Sequence, residues 1–148
     1  MATYKGRFTP DNPNKYMGDA NNIIYRSGWE RRAMKYFDIN PGVLKWASEE
    51  VVIPYYDSVS KKVRRYFPDF LIKVQTAEGS TQTHLIEVKP SKDLRPPVGG
   101  RGKKKSTVLY EMKTYRMNQD KFAAARKWCD DRNIIWDVWT EKQLKQKG

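Results

Sequence analysis

The 148-residue sequence predicts an α/β (α+β) fold, a single mixed β-sheet flanked by helices in the order α-β-β-β-α-β. Three observations predict it. Apolar residues at helical spacing from Trp29 to Phe37 precede several short apolar runs bounded by turn residues. A second helical stretch follows those runs. The nearly all-apolar run Ile134 to Trp139 comes last and fits a strand buried on both faces.

Residues 1–22 are rich in Asn, Pro, Gly and Lys and are expected to form an extended N-terminal arm. Ser27-Gly28-Trp29-Glu30 opens the first helix, whose apolar stripe is Trp29, Ala33, Met34 and Phe37; Asn40-Pro41-Gly42 stops it. Val43 to Pro54 is expected as one strand, broken by Pro54 and the turn residues Asp57-Ser58. Arg64 to Gln75 and Thr81 to Lys89 are expected to pair as a hairpin around Ala77-Glu78-Gly79-Ser80. Residues 91–106 carry Pro96-Pro97, Gly99-Gly100 and Lys103-Lys104-Lys105 with almost nothing to bury, the pattern of a mobile basic loop. The second helix is expected from about Lys113 to Arg132, ended by Asn133, with Arg126 facing solvent or a ligand. Glu141 to Lys147 is expected as a short polar helical tail.

The length suits one domain with one core, and 13% aromatic residues, with five Trp and nine Tyr, supply large side chains to bury. A formal charge of +12 is large for so short a chain and favours a polyanionic partner, whose released counterions would drive binding. Cys129 is the only cysteine and His84 the only histidine, so neither a disulfide framework nor a Cys/His zinc site can be assembled. Cys129 is expected as a small core residue, and a Ser-His-Asp hydrolase would have no serine elbow near His84. No apolar signal or membrane-spanning run is evident, so a cytoplasmic location without membrane contact is expected.

The spacing of Asp69 and Glu87 carries the chemistry. The two positions are symmetric about residue 78, inside the expected turn, so a hairpin closed there sets the carboxylates nearly opposite each other. Opposed carboxylates repel, and a divalent cation between them removes the repulsion. Glu87 and Lys89 stand at i and i+2, on one face of one strand, and by the same parity His84 points away from them. Glu49 and Glu50 are alternative metal ligands or ordinary strand-start charges. Gln119 could support Lys89 or a water, or simply face solvent.

Pro68-Asp69, then Glu87-Val88-Lys89, with Glu30 on the preceding helix and the α-β-β-β-α-β order, resembles the PD-(D/E)XK nuclease superfamily. The blocks Tyr25-Arg26-Ser27-Gly28-Trp29-Glu30, Glu50-Val51-Val52-Ile53-Pro54-Tyr55, Arg65-Tyr66-Phe67-Pro68-Asp69-Phe70 and Ile86-Glu87-Val88-Lys89-Pro90 narrow the match. They resemble the head completion nucleases of tailed bacteriophages and, less closely, the TnsA-type transposon end-cleaving endonucleases. The resemblance spans roughly residues 4–139.

It implies a restriction-endonuclease-like core and a Mg²⁺-dependent endodeoxyribonuclease, with Mn²⁺ able to substitute. Asp69, Glu87, the backbone carbonyl of Val88 and Glu30 would hold metal, and Lys89 would orient or deprotonate the attacking water. The implied role is in phage head completion, with DNA and phage head or portal proteins as partners, in the host cytoplasm or on the virion. Arg26, Arg31, Arg32, Arg64, Arg65, Lys103, Lys104 and Lys105 are candidate phosphate contacts. With no evident base-reading helix, recognition of DNA structure or ends is expected rather than of sequence. Rival readings exist for each residue. Ser27 and Glu30 have capping-box spacing, Asp69 could cap a turn, and Glu87 with Lys89 could be a solvated strand face. For the whole chain the rivals are a DNA-binding head protein without activity and a recombination or junction-resolving endonuclease.

Overall fold

The computed structural model describes residues 5–100 and 102–147, so the first four residues of the expected arm and residue 101 of the expected loop lie outside it. Short strands β1 (Gly6–Phe8) and β2 (Ile23–Tyr25) pair antiparallel. Helix α1 (Gly28–Ile39) follows, then β3 (Val43–Ser48), β4 (Ile53–Asp57), β5 (Lys62–Tyr66), β6 (Phe70–Gln75) and β7 (Thr81–Val88). The long helix α2 (Lys105–Asp131), strand β8 (Ile135–Trp139) and helix α3 (Glu141–Lys147) complete the chain. The central sheet is mixed and runs β3-β6-β7-β8, with β8 parallel to β7 and the other pairs antiparallel.

Ser27 caps α1, its Oγ accepting the Glu30 N–H at 3.1 Å, so the first turn is satisfied by the capping residue the sequence offers. Ala33, Met34 and Phe37 of the expected stripe are fully buried against the sheet. There they meet Trp46, Phe70, Ile72, Ile86 and Trp139. Truncating a residue such as Phe37 in this layer would cost about 3–5 kcal/mol. The opposite face of the sheet is covered by α2 and the β4–β5 ribbon, where Ile53, Tyr55, Tyr66, Leu85, Ala125 and Cys129 pack together. Strand parity divides the two layers: Phe70, Ile72 and Ile86 go to the first, Leu71 and Leu85 to the second. Glu87 shares the parity of Leu85 and therefore faces α2. Cys129 is buried as expected, and burial pushes its thiol up to about 11.

Several expectations are corrected. The Val43–Pro54 strand is two strands, separated at Glu49, whose φ of +55° turns the chain out of the sheet. Pro54 does not end a strand but sits inside β4, in a two-stranded ribbon with β5. The Asp57 carboxylate closes that ribbon's turn, accepting the Val59 N–H at 2.9 Å and the Ser60 hydroxyl at 2.8 Å. The expected long strand from Arg64 is likewise split at Phe67-Pro68-Asp69 between β5 and β6. Helix α2 begins at Lys105, eight residues before the apolar periodicity does, because its first turns are solvent-exposed and leave no stripe to read. Asn133 ends it as expected, in the left-handed region at φ +55°, while the Ile134 N–H reaches back to the Cys129 carbonyl at 2.9 Å. Strand β8 is an edge rather than a doubly buried strand, and Ile135 is exposed.

The described part of the expected arm lies against the fold. The buried Asp38 carboxylate accepts the backbone N–H groups of Asp11 at 2.7 Å and Asn12 at 3.0 Å. Tyr16 packs edge-on to Trp46 at 4.8 Å. Such paired polar contacts satisfy a segment with little apolar content of its own.

Candidate active site

The β6–β7 hairpin positions the site. Its register pairs Phe70 with Ile86 and Gln75 with Thr81, so one step outward Asp69 comes opposite Glu87. The turn at its far end is closed by the Thr76 N–H donating to the Ser80 carbonyl at 2.8 Å, with Gly79 at φ +84°. At the near end Asp69 Oδ2 accepts the backbone N–H of Val88 at 2.7 Å, which ties the carboxylate to the strand that carries Glu87. Burial and the facing Glu87 charge push the Asp69 carboxyl well above the usual carboxylate range. Burial raises Glu87 as well, opposed by the Tyr66 hydrogen bond and by the Lys89 and Lys121 charges.

Asp69 stands between two sets of partners. On one side Glu30, Glu49 and Asp69 each offer a carboxylate oxygen, all within 4.8 Å of one another. Glu30 arrives from the first turn of α1 and is buried, and burial raises its carboxyl. Glu49 arrives from the break after β3, its N–H bonded to the Asp69 carbonyl at 3.0 Å, and its carboxylate takes a two-pronged contact from Arg26 at 3.0 and 3.2 Å. On the other side, Glu87 Oε1 accepts the Tyr66 hydroxyl at 2.6 Å and Oε2 lies 3.7 Å from Lys89 Nζ. Lys121 of α2 lies over the Tyr66 ring at 5.6 Å, and burial and the nearby Lys89 charge lower its pKa. The donors converging here are carboxylate oxygens, the hard ligands that magnesium-like ions prefer.

Residues 40–141 match the TnsA-like endonuclease N-terminal family. The chain belongs to that family. Over 148 residues, 98% of this chain and 96% of the relative, it is also 37% identical to a head completion nuclease of Enterobacteria phage T4. No solved structure is a significant match. The family's matched span contains Asp69, Glu87 and Lys89, whereas Glu30 lies ahead of it and is covered only by the longer similarity to the phage relative.

Within this member of the family, the expected tetrad is gathered around Asp69 but not as one four-residue cage. Glu30 belongs with Glu49, while Glu87 turns toward Tyr66 and Lys89. Glu49, set beside Glu50 in the sequence as an alternative, is the one of the two that joins the acidic group; Glu50 is exposed. The Val88 backbone is at the site through its N–H.

The expected phosphate contacts are exposed and distributed. Arg26 is paired to Glu49, Arg64 to the buried Asp57 at 3.1 Å, and Lys103 to Glu111 at 3.0 Å. Arg31, Arg32 and Arg65 lie over the rings of Tyr25, Trp29 and Phe67 respectively. Lys104 and Lys105 are exposed at the start of α2, and Lys103 shares a cleft with Lys89. Gln119 is half-buried and Arg126 exposed.

Sequence reasoning missed Tyr66 and Lys121. Lys121 precedes Ala125 and Cys129 at four-residue intervals, so it lies on the buried stripe of α2, and a lysine on such a stripe was the available signal. Tyr66 stood within the Pro68-Asp69 block but had no spacing that assigned it a role.

Proposed function

We propose that this chain is a divalent-metal-dependent DNA endonuclease that hydrolyses phosphodiester bonds, using Mg²⁺ with Mn²⁺ as a substitute. Its role, on this reading, is phage head completion, by processing DNA ends after packaging. The observation that carries the proposal is the place of Asp69. It sits between the Glu30–Glu49 carboxylates and a Glu87 whose own neighbours are an ammonium and a phenol.

Carboxyls held protonation-prone by burial, with the Glu87 charge adding to it at Asp69, lose that penalty when a cation binds between them, which is the physical case for a metal here. Asp69, Glu87 and Glu30 would hold it with the Val88 carbonyl, and Glu49 joins them on geometry. A bound divalent ion supplies charge neutralisation at the scissile phosphate and a lower pKa for the attacking water. Lys89 orients that water and balances the negative charge that grows on the phosphate oxygens. Tyr66 holds Glu87 in its rotamer, and Lys121 adds a second ammonium to the same charge balance.

The net charge of +12 and the exposed arginines and lysines around the site supply the field that draws in DNA. Among the described residues no helix is long and apolar enough to cross a membrane. Action in the host cytoplasm, with docking to head or portal proteins, fits the proposed role.

Cleavage of supercoiled, linear, overhanging and branched DNA with Mg²⁺ tests the proposal, comparing wild type with Asp69→Ala and Lys89→Ala. Each variant is expected to lose at least about 10²-fold in rate. Undiminished cutting by either variant sinks the mechanism, and DNA binding without any cutting in wild type favours a purely structural DNA-binding role.

A further inference from the structure

A cleft of about 630 Å³ opens beside Lys89, between the segment that follows it and the outer face of α2. Three features of its lining have no structural role. Asn118, on its floor, is 7% exposed, and its carboxamide makes no hydrogen bond among the described residues. Its amide atoms are not among the fully buried ones that lack a partner, so solvent reaches them, and they are free to bond a polar group that enters the cleft. Tyr110, two helical turns earlier on the same stripe, is 71% exposed and offers its ring to the cleft. Lys92 and Arg95, on the opposite wall, form no ion pair among the described residues. Asp93 and Glu111 also line the cleft, and Glu111 is neutralised by Lys103 at 3.0 Å, so the lining stays net positive.

Cations along one wall, an exposed aromatic ring on the other and an unpaired amide beneath are the elements that hold a nucleotide by phosphate, base face and base edge. The volume lies in the range of about 300–1,000 Å³ typical of small-ligand sites, which suits a nucleotide or two. We propose that this cleft binds an unpaired nucleotide of the strand entering the catalytic site. Its phosphates lie on Lys92 and Arg95, its base stacks on Tyr110, and its base edge bonds to Asn118. The chain would therefore favour DNA with a single-stranded segment beside the cut, such as an overhang or a frayed end. This inference rests on the nuclease reading above and names its substrate class.

The test is binding of the full chain, in chelator, to dye-labelled blunt duplex and to the same duplex carrying an overhang of about ten nucleotides, followed by fluorescence anisotropy. The overhang is expected to bind on the order of tenfold more tightly, and Tyr110→Ala and Asn118→Ala each to shrink that ratio. Tyr110 is exposed, so its variant keeps the fold. Equal affinity of wild type for both DNAs overturns the inference, as does an unchanged ratio in the Tyr110→Ala variant. Because binding is read without metal, the outcomes separate. Cleavage without strand preference leaves the nuclease reading standing and removes this site, whereas overhang preference without cleavage does the reverse.

Discussion

The Tyr66 hydroxyl donates to Glu87 Oε1 at 2.6 Å, inside the layer between the sheet and α2. This bond joins the end of the β4–β5 ribbon to the strand that carries Glu87 and Lys89. It is also the strongest favourable influence on the Glu87 anion, since burial alone drives that carboxyl toward its protonated form. Tyr66→Phe keeps the ring but leaves a buried acceptor without its donor, a loss of about 1–3 kcal/mol. The expected result is a cleavage rate lower by on the order of tenfold, with the far-UV circular dichroism of wild type. An unaltered rate would show that Glu87 keeps its position without the phenol.

Lys121 carries a half-buried ammonium above the Tyr66 ring, close enough to Glu87 to favour its charged form. Lys121→Met retains the aliphatic packing and deletes the charge. Lys121 acts on Glu87 through its charge alone, so cleavage should fall by roughly several-fold while thermal stability holds or rises. The two readouts move apart only if the amine acts at the site. A parallel fall in both would make Lys121 a packing residue.

Asp69 and Glu87 both have folded-state pKa values raised above their ordinary ones, Asp69 well above. A raised folded value means the folded chain binds more protons than the unfolded one, so the pair's contribution to stability is complete below the ordinary carboxylate range. It is lost as pH rises through the raised values. In chelator, the melting temperature of Asp69→Asn minus that of wild type should therefore increase as pH rises from the ordinary carboxylate range through the raised values. The difference isolates the pair, because the net charge of +12 acts on both proteins nearly alike. Mg²⁺ should raise the wild-type melting temperature more than the variant's. A difference that stays flat with pH would mean the two carboxyls titrate normally.

Glu49 holds a left-handed backbone, φ +55°, which costs a non-glycine residue on the order of 1 kcal/mol. Its carboxylate stands with Glu30 and Asp69. Glu49→Gly removes the strain and the carboxylate together, and Glu49→Gln removes only the charge. Both variants should need several-fold more Mg²⁺ for half-maximal cleavage, and the glycine variant should melt no lower than the glutamine one. Metal titrations that overlay wild type would leave Glu49 as a partner of Arg26 alone, an exposed pair contributing about 0–1 kcal/mol.

The amino-acid sequence by itself determined the hairpin, and its register to within a residue. An antiparallel pair has a period of two and a turn has a midpoint, so Ala77-Glu78-Gly79-Ser80 sufficed to bring Asp69 and Glu87 together and to put Lys89 on the same face. It also determined α1, through the Ser27 cap and the stripe of Ala33, Met34 and Phe37, because both are local. Only the tertiary structure decided that Glu49 joins Glu30 at the site, that Tyr66 and Lys121 close over Glu87, and that the β4–β5 ribbon stands apart from the main sheet. Those arrangements depend on contacts between residues far apart in the chain, such as Ser58 donating to Asp120 at 2.9 Å to hold the ribbon on α2. No local spacing encodes such a contact, since it exists only once two independently formed elements have packed face to face.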